Sequence, residues 1–316
     1  MLPVSDVLKR KLQETNRELR KAYPSEAFEY TAIRRRLQNV GDFISVSRLE
    51  DTEFVQWLGD RTLVGVDGSV NSTPGSHPRT LSVFQALAKG TKGEEYWAGE
   101  VYTPLLTNGE DEADAAREAR HRGALLSRLE MQTAMYAVEN WQPKVVMMDG
   151  SLLHFLIDDA KEWTRLAQVA ESADVLLVGV SEEIGTKSLA REVFPDYPAW
   201  TDREVLYGTL KPGEAFEWEG WSPAGSGLWK VTLRSSRSPQ PIGIDGLLSQ
   251  EAHKWDLVRL VRTLTPEQGR GIPLWLDIVD AEVRVTDRLV EAMVEEYIDP
   301  DLRHRLFLPK RSERVL

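Results

Sequence analysis

Two short apolar runs in this chain each end in the same three residues, Asp-Gly-Ser. The first is Leu63-Val-Gly-Val before Asp67, and the second is Val145-Val-Met-Met before Asp149. An apolar run of this length, flanked by turn residues, is typical of a buried β-strand. We therefore predict that each aspartate is the last residue of its strand, where the sheet opens to solvent. Two carboxylates on neighbouring strand ends would form a pocket for a divalent metal ion.

The pattern also has a simpler explanation. Asp-Gly is a common turn dipeptide, so both copies would then mark only the ends of strands. A third copy, Ile242-Gly-Ile-Asp245-Gly246, is interpreted as a turn alone. The first two copies favour a site because each is followed by Ser and because a long helical segment separates them.

Composition restricts the metals that such a pocket would bind. The 316-residue chain contains no Cys, which excludes thiolate zinc sites and cysteine nucleophiles. Its five His residues are scattered and form no HExxH motif, so a zinc hydrolase is not expected. A metal would therefore be bound through oxygen, which suits Mg²⁺ or Mn²⁺.

Charge and hydropathy restrict the location and the partners of the protein. No apolar stretch approaches the roughly 20 residues that span a bilayer. Residues 1–6 lack the apolar core of a signal peptide, so we predict a cytoplasmic protein with no membrane partner. The net charge of −11 argues against nonspecific coating of nucleic acid. Basic residues are nevertheless concentrated in the first forty and the last fifteen positions, which is compatible with local handling of DNA.

The order of the predicted elements indicates the fold class. Three strands, a helix, a strand, a helix and a strand are predicted in turn, at 62–67, 81–88, 95–102, 111–140, 144–149, 159–171 and 174–180. The short connections between the first three strands favour an antiparallel meander. A meander followed by this alternation is the order of the RNase H-like fold. We therefore predict an α/β protein with an RNase H-like mixed sheet flanked by helices.

Three regions are predicted along the chain. Residues 1–45 form an N-terminal helical extension, residues 60–300 the α/β domain, and residues 301–316 a basic C-terminal tail. The first helix, from Ser5 to about Lys21, carries an apolar stripe at Val4, Val7, Leu8 and Leu12. An irregular insert at 196–226 is rich in Trp and Pro. Both the stripe and the tryptophans of this region exceed what the core needs and favour an interface; the tryptophans are Trp200, Trp218, Trp221 and Trp229.

The long helix supplies a third candidate carboxylate. Its sheet-facing side is predicted from residues that recur at three- and four-residue spacing, namely Leu126, Leu129, Thr133, Tyr136 and Ala137. Glu130 lies within this side, where a carboxylate is costly unless it is paired or bound to metal. The alternative is a rim position, from which Glu130 would pair with Arg122 or Arg128. We predict instead that Glu130 faces the two aspartates.

With these motifs in this order, the chain resembles the NurA family, nucleases that work with the HerA ATPase in DNA end processing. The resemblance extends from about Thr62 to Tyr297. It rests on the segments around Asp67, Glu130 and Asp149. It also rests on two later segments, Val178-Gly-Val-Ser181 followed by Lys187-Ser188, and Gly271-Ile-Pro-Leu-Trp-Leu276 leading to Asp280-Ala-Glu282.

The resemblance implies roles for five residues. Asp67, Glu130 and Asp149 would be metal ligands, and Asp280 would be the fourth acidic position. Lys187 would lie near the scissile phosphate or the DNA, where it would act as a point charge and not as a base.

The late segment departs from the family pattern. The family often has Tyr and His where this chain has Ile272 and Asp280. Asp277 and Glu282 are therefore alternatives to Asp280 as the fourth acidic residue.

The implied activity is metal-dependent hydrolysis of DNA, as a 5′–3′ exonuclease and a single-strand endonuclease in the resection of double-strand breaks. Two Mn²⁺ or Mg²⁺ ions about 3.5–4 Å apart would act on the two sides of the phosphate, with Asp67 bridging them. The resemblance also implies a two-fold homodimer seated on a hexameric HerA-type ATPase that feeds DNA into the active sites.

Two other classes of function remain open. An actin-like or sugar-kinase-like ATP-binding protein shares the RNase H-like core, but it needs two such domains with phosphate-binding hairpins, and this chain has room for one. A non-catalytic scaffold would explain both Asp-Gly-Ser segments as turns. Mn²⁺-dependent degradation of DNA without ATP would favour the nuclease, and ATP hydrolysis by the chain alone would favour the kinase-like protein.

Overall fold

A nine-stranded mixed sheet organises the part of the chain that the computed structural model describes, residues 5–25, 29–75, 77–106 and 115–307. The strands are β1 (Asp42–Ser45), β2 (Leu63–Ser72), β3 (Ser82–Gly90), β4 (Glu95–Tyr102), β5 (Val145–Asp149), β6 (Leu176–Ser181), β7 (Glu214–Glu217), β8 (Leu228–Leu233) and β9 (Ile242–Leu247). Their order across the sheet is β1-β7-β8-β9-β6-β5-β2-β3-β4.

The centre of the sheet has the predicted RNase H-like order. β2, β3 and β4 form an antiparallel meander, β5 pairs parallel with β2, and β6 pairs parallel with β5. β5 ends at Asp149 as predicted. The prediction that Asp67 also ends its strand is wrong, because β3 continues to pair with β2 as far as Ser72.

Four strands extend the sheet beyond β6. β9 pairs antiparallel with both β6 and β8, and all six of its residues are buried. This strand contains the third Asp-Gly copy, so the interpretation of Asp245-Gly246 as only a turn is wrong. The outermost strand, β1, comes from the end of the predicted N-terminal extension and pairs with β7 from the Trp-rich insert.

Helices lie on both faces of the sheet. They are α1 (Asp6–Ala22), α2 (Tyr30–Leu37), α3 (Asp51–Leu58), α4 (Ala115–Trp141), α5 (Leu152–Asp158), α6 (Ala160–Ser172), α7 (Ser188–Val193), α8 (Asp202–Leu206), α9 (Lys254–Leu264), α10 (Leu274–Val283), α11 (Asp287–Tyr297) and α12 (Pro300–Leu302). α4, α5 and α6 bury one face around Val64 and Met148, whereas α9 and α10 bury the other around Leu63 and Met147. None of the helices in the described ranges is long and apolar enough to cross a membrane.

The long helix α4 packs on the meander through the side that its spacing predicted. Leu129, Thr133 and Ala137 are buried, and Leu126 is partly buried beside them. Tyr136 lies at the margin of this side, where it stacks on a tyrosine of the edge strand β4. The first four residues of the predicted helix, 111–114, lie outside the described residues.

The tryptophans of the insert form a core and not an exposed surface. Trp200, Trp221 and Trp229 are buried, so their proposed role in an interface is wrong. Trp200 and Trp221 pack with Ile33 and Leu37 of α2 and with residues of α7 and α8, because the insert folds back on the N-terminal extension. Apolar periodicity in the sequence could not reveal this packing, since the two segments are far apart in the chain.

The N-terminal helix differs from the insert in its exposure. α1 begins after Ser5, whose Oγ accepts a hydrogen bond from the backbone N–H of Leu8 at 3.2 Å, as expected for a helix cap. Its apolar residues Val7, Leu8 and Leu12 are 59%, 50% and 60% exposed. Val4, the first residue of the predicted stripe, lies outside the described residues, as does the tail after Phe307.

Candidate active site

Two aspartates lie side by side at the edge of the sheet where β5 ends. In the parallel pair of β2 and β5, Val66 is level with Met148, the last pair of residues in register. The next residues, Asp67 and Asp149, therefore both lie where the pairing between these two strands ends. Side chains alternate between the faces of a strand. Gly65, two residues before Asp67, packs beneath α10, where an added Cβ would lie 2.9 Å from the ring of Trp275. Asp67 and Asp149 therefore belong to the α10 side of the sheet.

Glu130 reaches the same edge from the opposite face. It projects from α4 against Gly68, where an added Cβ would lie 2.5 Å from Glu130 Oε1. Gly68 also donates its backbone N–H to Asp67 Oδ1 at 2.7 Å. The glycine after Asp67 therefore gives Glu130 room to approach the strand, and the rim position considered for Glu130 is not the one observed. We refer to Asp67, Glu130 and Asp149 as the carboxylate cluster.

Two members of the carboxylate cluster are buried, Asp149 is partly buried, and their charges repel one another. Glu130 and Asp67 are only 7% and 8% exposed. Burial, and then the charge of Asp149, raise the pKa of Asp67 to about 7. Burial also raises the pKa of Asp149 to about 6, against the opposing effect of Arg270. The pKa of Glu130 is raised well above its ordinary value by burial and by both aspartates. The fold thus holds three acidic groups where their ionisation is unfavourable.

α10 brings a fourth carboxylate towards the cluster. The charge of Asp280 contributes to the raised pKa of Asp67. Asp280 forms an ion pair with Arg284 one turn further along. Glu282 instead pairs with Lys89 of β3, with Oε2 and Nζ 2.8 Å apart. Of the three candidates on this helix, Asp280 acts electrostatically on both aspartates, Asp277 acts on Asp149, and Glu282 is paired with Lys89 instead.

A cation that the sequence did not reveal, Arg270, acts electrostatically on Asp149. Arg270 lowers the pKa of Asp149 and is itself held by Glu182 and Asp277, each with an N–O distance of 2.7 Å. Its position directly before the Gly271 segment was a signal, but nothing local in the sequence ties it to Asp149. Lys187 lies exposed just before α7, in the connection after β6, and makes no ion pair within the described ranges.

The donors in the cluster suit a hard divalent cation in type, burial and charge. They are all carboxylate oxygens, and the nearby arginines are already paired with other acids. Among the described residues, however, no three Asp, Glu or His side chains converge closely enough to form a metal-binding group as they stand. The structure therefore presents the residues for a cation, without a preformed coordination shell.

Comparison with known proteins identifies the family. A sequence model of the NurA domain matches residues 61–285, a range that includes the carboxylate cluster and Asp280. No curated protein matches the chain.

Several solved structures are similar to this chain at low sequence identity. The catalytic domain of human endonuclease V is 19% identical over 90% of this chain and 100% of that chain, with a TM-score of 0.34. Endonuclease V from Bacillus subtilis is 11% identical over 83% and 90%, with a TM-score of 0.37. Argonaute from Kluyveromyces polysporus with a guide RNA is 12% identical over 74% of this chain and 29% of that chain, with a TM-score of 0.36.

TM-scores this low do not assign a family. The family assignment rests on the NurA match, which covers most of the chain. The order of the central strands is that of the RNase H-like sheet predicted from the sequence. The chain belongs to the NurA family of nucleases.

Proposed function

We propose that this nuclease hydrolyses the phosphodiester bonds of DNA with Mn²⁺ or Mg²⁺ held by Asp67, Glu130 and Asp149. The observation that carries the proposal is the carboxylate cluster, in which Asp67 and Glu130 are buried, Asp149 is partly buried, and the pKa of Asp67 is raised to about 7. Such a cluster lowers stability unless a positive charge offsets the repulsion. Two bound divalent ions would supply activation of water and stabilisation of charge on the phosphate.

The surrounding residues suit complementary roles in that reaction. Asp280, from α10 on the face of the sheet opposite Glu130, is our candidate for the fourth acidic ligand. The side chain of Arg270 is 45% exposed, is held by Glu182 and Asp277, and acts electrostatically on Asp149, so we propose that it contacts a DNA phosphate. Lys187 is exposed after β6, and we propose that it adds a second positive charge along the path of the DNA.

Family membership supports a more specific proposal about the activity. We propose 5′–3′ exonuclease activity and single-strand endonuclease activity in the resection of double-strand breaks. Both activities would use the same cluster, since each requires only that one phosphodiester bond reach Asp67 and Asp149.

The test is cleavage of end-labelled DNA by the purified chain. We expect degradation of duplex DNA from the 5′ end in Mn²⁺, complete loss of cleavage in EDTA, and no requirement for ATP. Closed circular single-stranded DNA reports the endonuclease activity separately, because it offers no end. Cleavage that persists in EDTA would contradict the metal-dependent reaction. ATP hydrolysis by the chain alone, without DNA cleavage, would favour the kinase-like alternative.

We further propose that the protein acts as a homodimer that associates with a HerA-type hexameric ATPase. The support within this chain is α1, whose apolar residues Leu8 and Leu12 are half or more exposed although the helix is well formed. Exposed apolar side chains along one helix favour contact with another protein surface. A ring that feeds DNA would also supply substrate to a chain with a net charge of −11.

Light scattering should give twice the chain mass of 35.8 kDa. Added partner ATPase with ATP should stimulate degradation of long duplex DNA. The double substitution Leu8→Glu and Leu12→Glu should abolish either the dimer or the stimulation, whereas Gln13→Glu on the same exposed helix should change neither. A monomeric wild-type protein whose cleavage rate is unchanged by the partner ATPase would contradict the proposed assembly. It would leave the catalytic proposal intact.

A further inference from the structure

Asp245 is a buried acidic residue that the proposed reaction does not use. It lies on β9 in the third Asp-Gly copy and is only 2% exposed. Its carboxylate accepts hydrogen bonds from Ser151 Oγ and from the backbone N–H of Leu152, the latter at 3.0 Å. Lys230, directly opposite on β8, offsets part of its charge. Asp245 is thus a buried carboxyl group with hydrogen-bonding partners, and those partners show which segment it holds.

Both hydrogen-bond donors belong to the turn that directly follows Asp149. Gly150 adopts a φ of +115°, and its N–H donates to the carbonyl oxygen of Val180 at 2.8 Å. The chain then enters α5 at Leu152. Ser151 occupies the cap position of α5, but its hydroxyl makes no hydrogen bond to that helix and goes to Asp245 instead. The backbone N–H of Leu152, the first residue of α5, likewise donates a hydrogen bond to Asp245 of β9.

The carboxylate of Asp245 reaches this turn by crossing a neighbouring strand. Asp245 is level with Gly179 of β6, and Gly179 is level with Met148 of β5. A Cβ on Gly179 would clash with Asp245 Oδ1 and would lie 2.7 Å from the carbonyl oxygen of Gly150. The glycine therefore opens a gap across β6. The side chain of Asp245 passes through this gap and links β9 to the turn after β5.

We propose that Asp245 is a positioning residue that fixes the turn after β5 and thereby the direction of the Asp149 carboxylate. The inference rests on the proposed function, because it treats Asp149 as a ligand of the metal. Asp149 is the last residue of its strand and is followed by a glycine at positive φ, so the ladder alone does not fix what comes next. Residues that orient metal ligands through hydrogen bonds affect metal binding without touching the metal.

The test compares Asp245→Ala, Asp245→Asn and Ser151→Ala with Gln250→Ala. Gln250 is also buried and holds β6 by hydrogen bonds to Val175 and Leu177, at the far end from Asp149, so its loss reports destabilisation without an effect on the turn. Three quantities are measured: amide hydrogen exchange of the 150–153 segment without metal, the dissociation constant for Mn²⁺ by calorimetry, and kcat for DNA cleavage.

We expect Asp245→Ala to abolish protection of the Leu152 amide and to raise the Mn²⁺ dissociation constant by about tenfold or more. Ser151→Ala should have a smaller effect of the same kind, and it carries the test if Asp245→Ala does not fold. Asp245→Asn keeps an oxygen acceptor for Leu152 and an amide that bonds Ser151, so it should stay within about threefold of wild type in Mn²⁺ affinity, since geometry rather than charge is what the turn requires. Gln250→Ala should lower the melting temperature and leave the Mn²⁺ affinity unchanged.

The inference is overturned if Asp245→Ala behaves like Gln250→Ala, with lower stability and unchanged Mn²⁺ affinity. It is also overturned if Asp245→Asn is as defective as Asp245→Ala, because the charge and not the hydrogen bonding would then matter. Wild-type protein that neither binds Mn²⁺ nor cleaves DNA would instead refute the proposed function, and the inference with it. Wild-type cleavage in the same assays separates these two failures.

Discussion

Asp67→Asn is expected to lower the rate of Mn²⁺-dependent DNA cleavage by about three orders of magnitude or more while the protein stays folded. Asparagine has nearly the same size and keeps an oxygen that accepts the hydrogen bond from the Gly68 N–H. It lacks the negative charge that divalent ions require. A loss of about 4 kcal/mol of transition-state stabilisation corresponds to about a thousandfold in rate, which is within the range that metal ions contribute.

The measurement is kcat/KM on end-labelled DNA, with Mn²⁺ binding and thermal melting measured on the same samples. Asp60→Asn is a matched control, because Asp60 is exposed in the turn before β2 and lies at the other end of that strand. It should cleave at the wild-type rate. If Asp67→Asn keeps more than about a tenth of the wild-type rate, Asp67 is not a metal ligand.

The central strands of the fold could be predicted because the residues that define them are adjacent in the sequence. β4 has the predicted bounds, Glu95–Tyr102, and β5 ends at Asp149 as predicted, since both strands are short runs bounded by turn residues. The length of β2 could not be predicted in the same way. Its continuation past Asp67 depends on the pairing of Ser69 and Ser72 with β3, and those residues carry no apolar signal.

The error at Asp245 has a related cause. Asp-Gly favours a turn when it is considered alone. Here three partners from other elements, Ser151, Leu152 and Lys230, satisfy the carboxylate, so it can lie in the middle of a buried strand. A pattern of residue types within one segment does not contain that information. For the same reason the sequence did not predict a role for Arg270, whose charge lowers the pKa of Asp149.

The position of Glu130 was predictable from its own helix. A carboxylate within the apolar side of α4 indicated a buried acidic residue that needs a partner. In the structure Glu130 is buried and lies against Gly68 of β2. What the sequence could not supply was the reason that it fits there. The approach requires a strand residue without a side chain, on a strand that extends past the end of β5.

Glu130→Gln is expected to abolish cleavage and to raise the melting temperature of the metal-free protein at alkaline pH. In the folded protein the pKa of Glu130 is raised by burial and by Asp67 and Asp149. Between its ordinary pKa and the raised one, the folded state binds more protons than the unfolded state, so the free energy of unfolding falls as the pH rises. The loss is complete above the raised pKa. Glutamine cannot ionise, so the variant escapes this loss, and Asp67, with a pKa of about 7, is also relieved of a neighbouring charge.

We therefore expect wild type and Glu130→Gln to melt at similar temperatures at pH 5, and the variant to melt about 1.5 °C or more higher at pH 8 in EDTA, the shift that roughly 1 kcal/mol produces in a protein of 316 residues. Added Mn²⁺ should reverse the order, because only the wild type has the full set of ligands to be stabilised by binding. Glu139→Gln, on the exposed side of the same helix, should follow the wild type at both pH values and with Mn²⁺. A Glu130→Gln variant that melts below the wild type at pH 8 yet keeps its specific activity would show that Glu130 supports the packing of α4 and takes no part in the reaction.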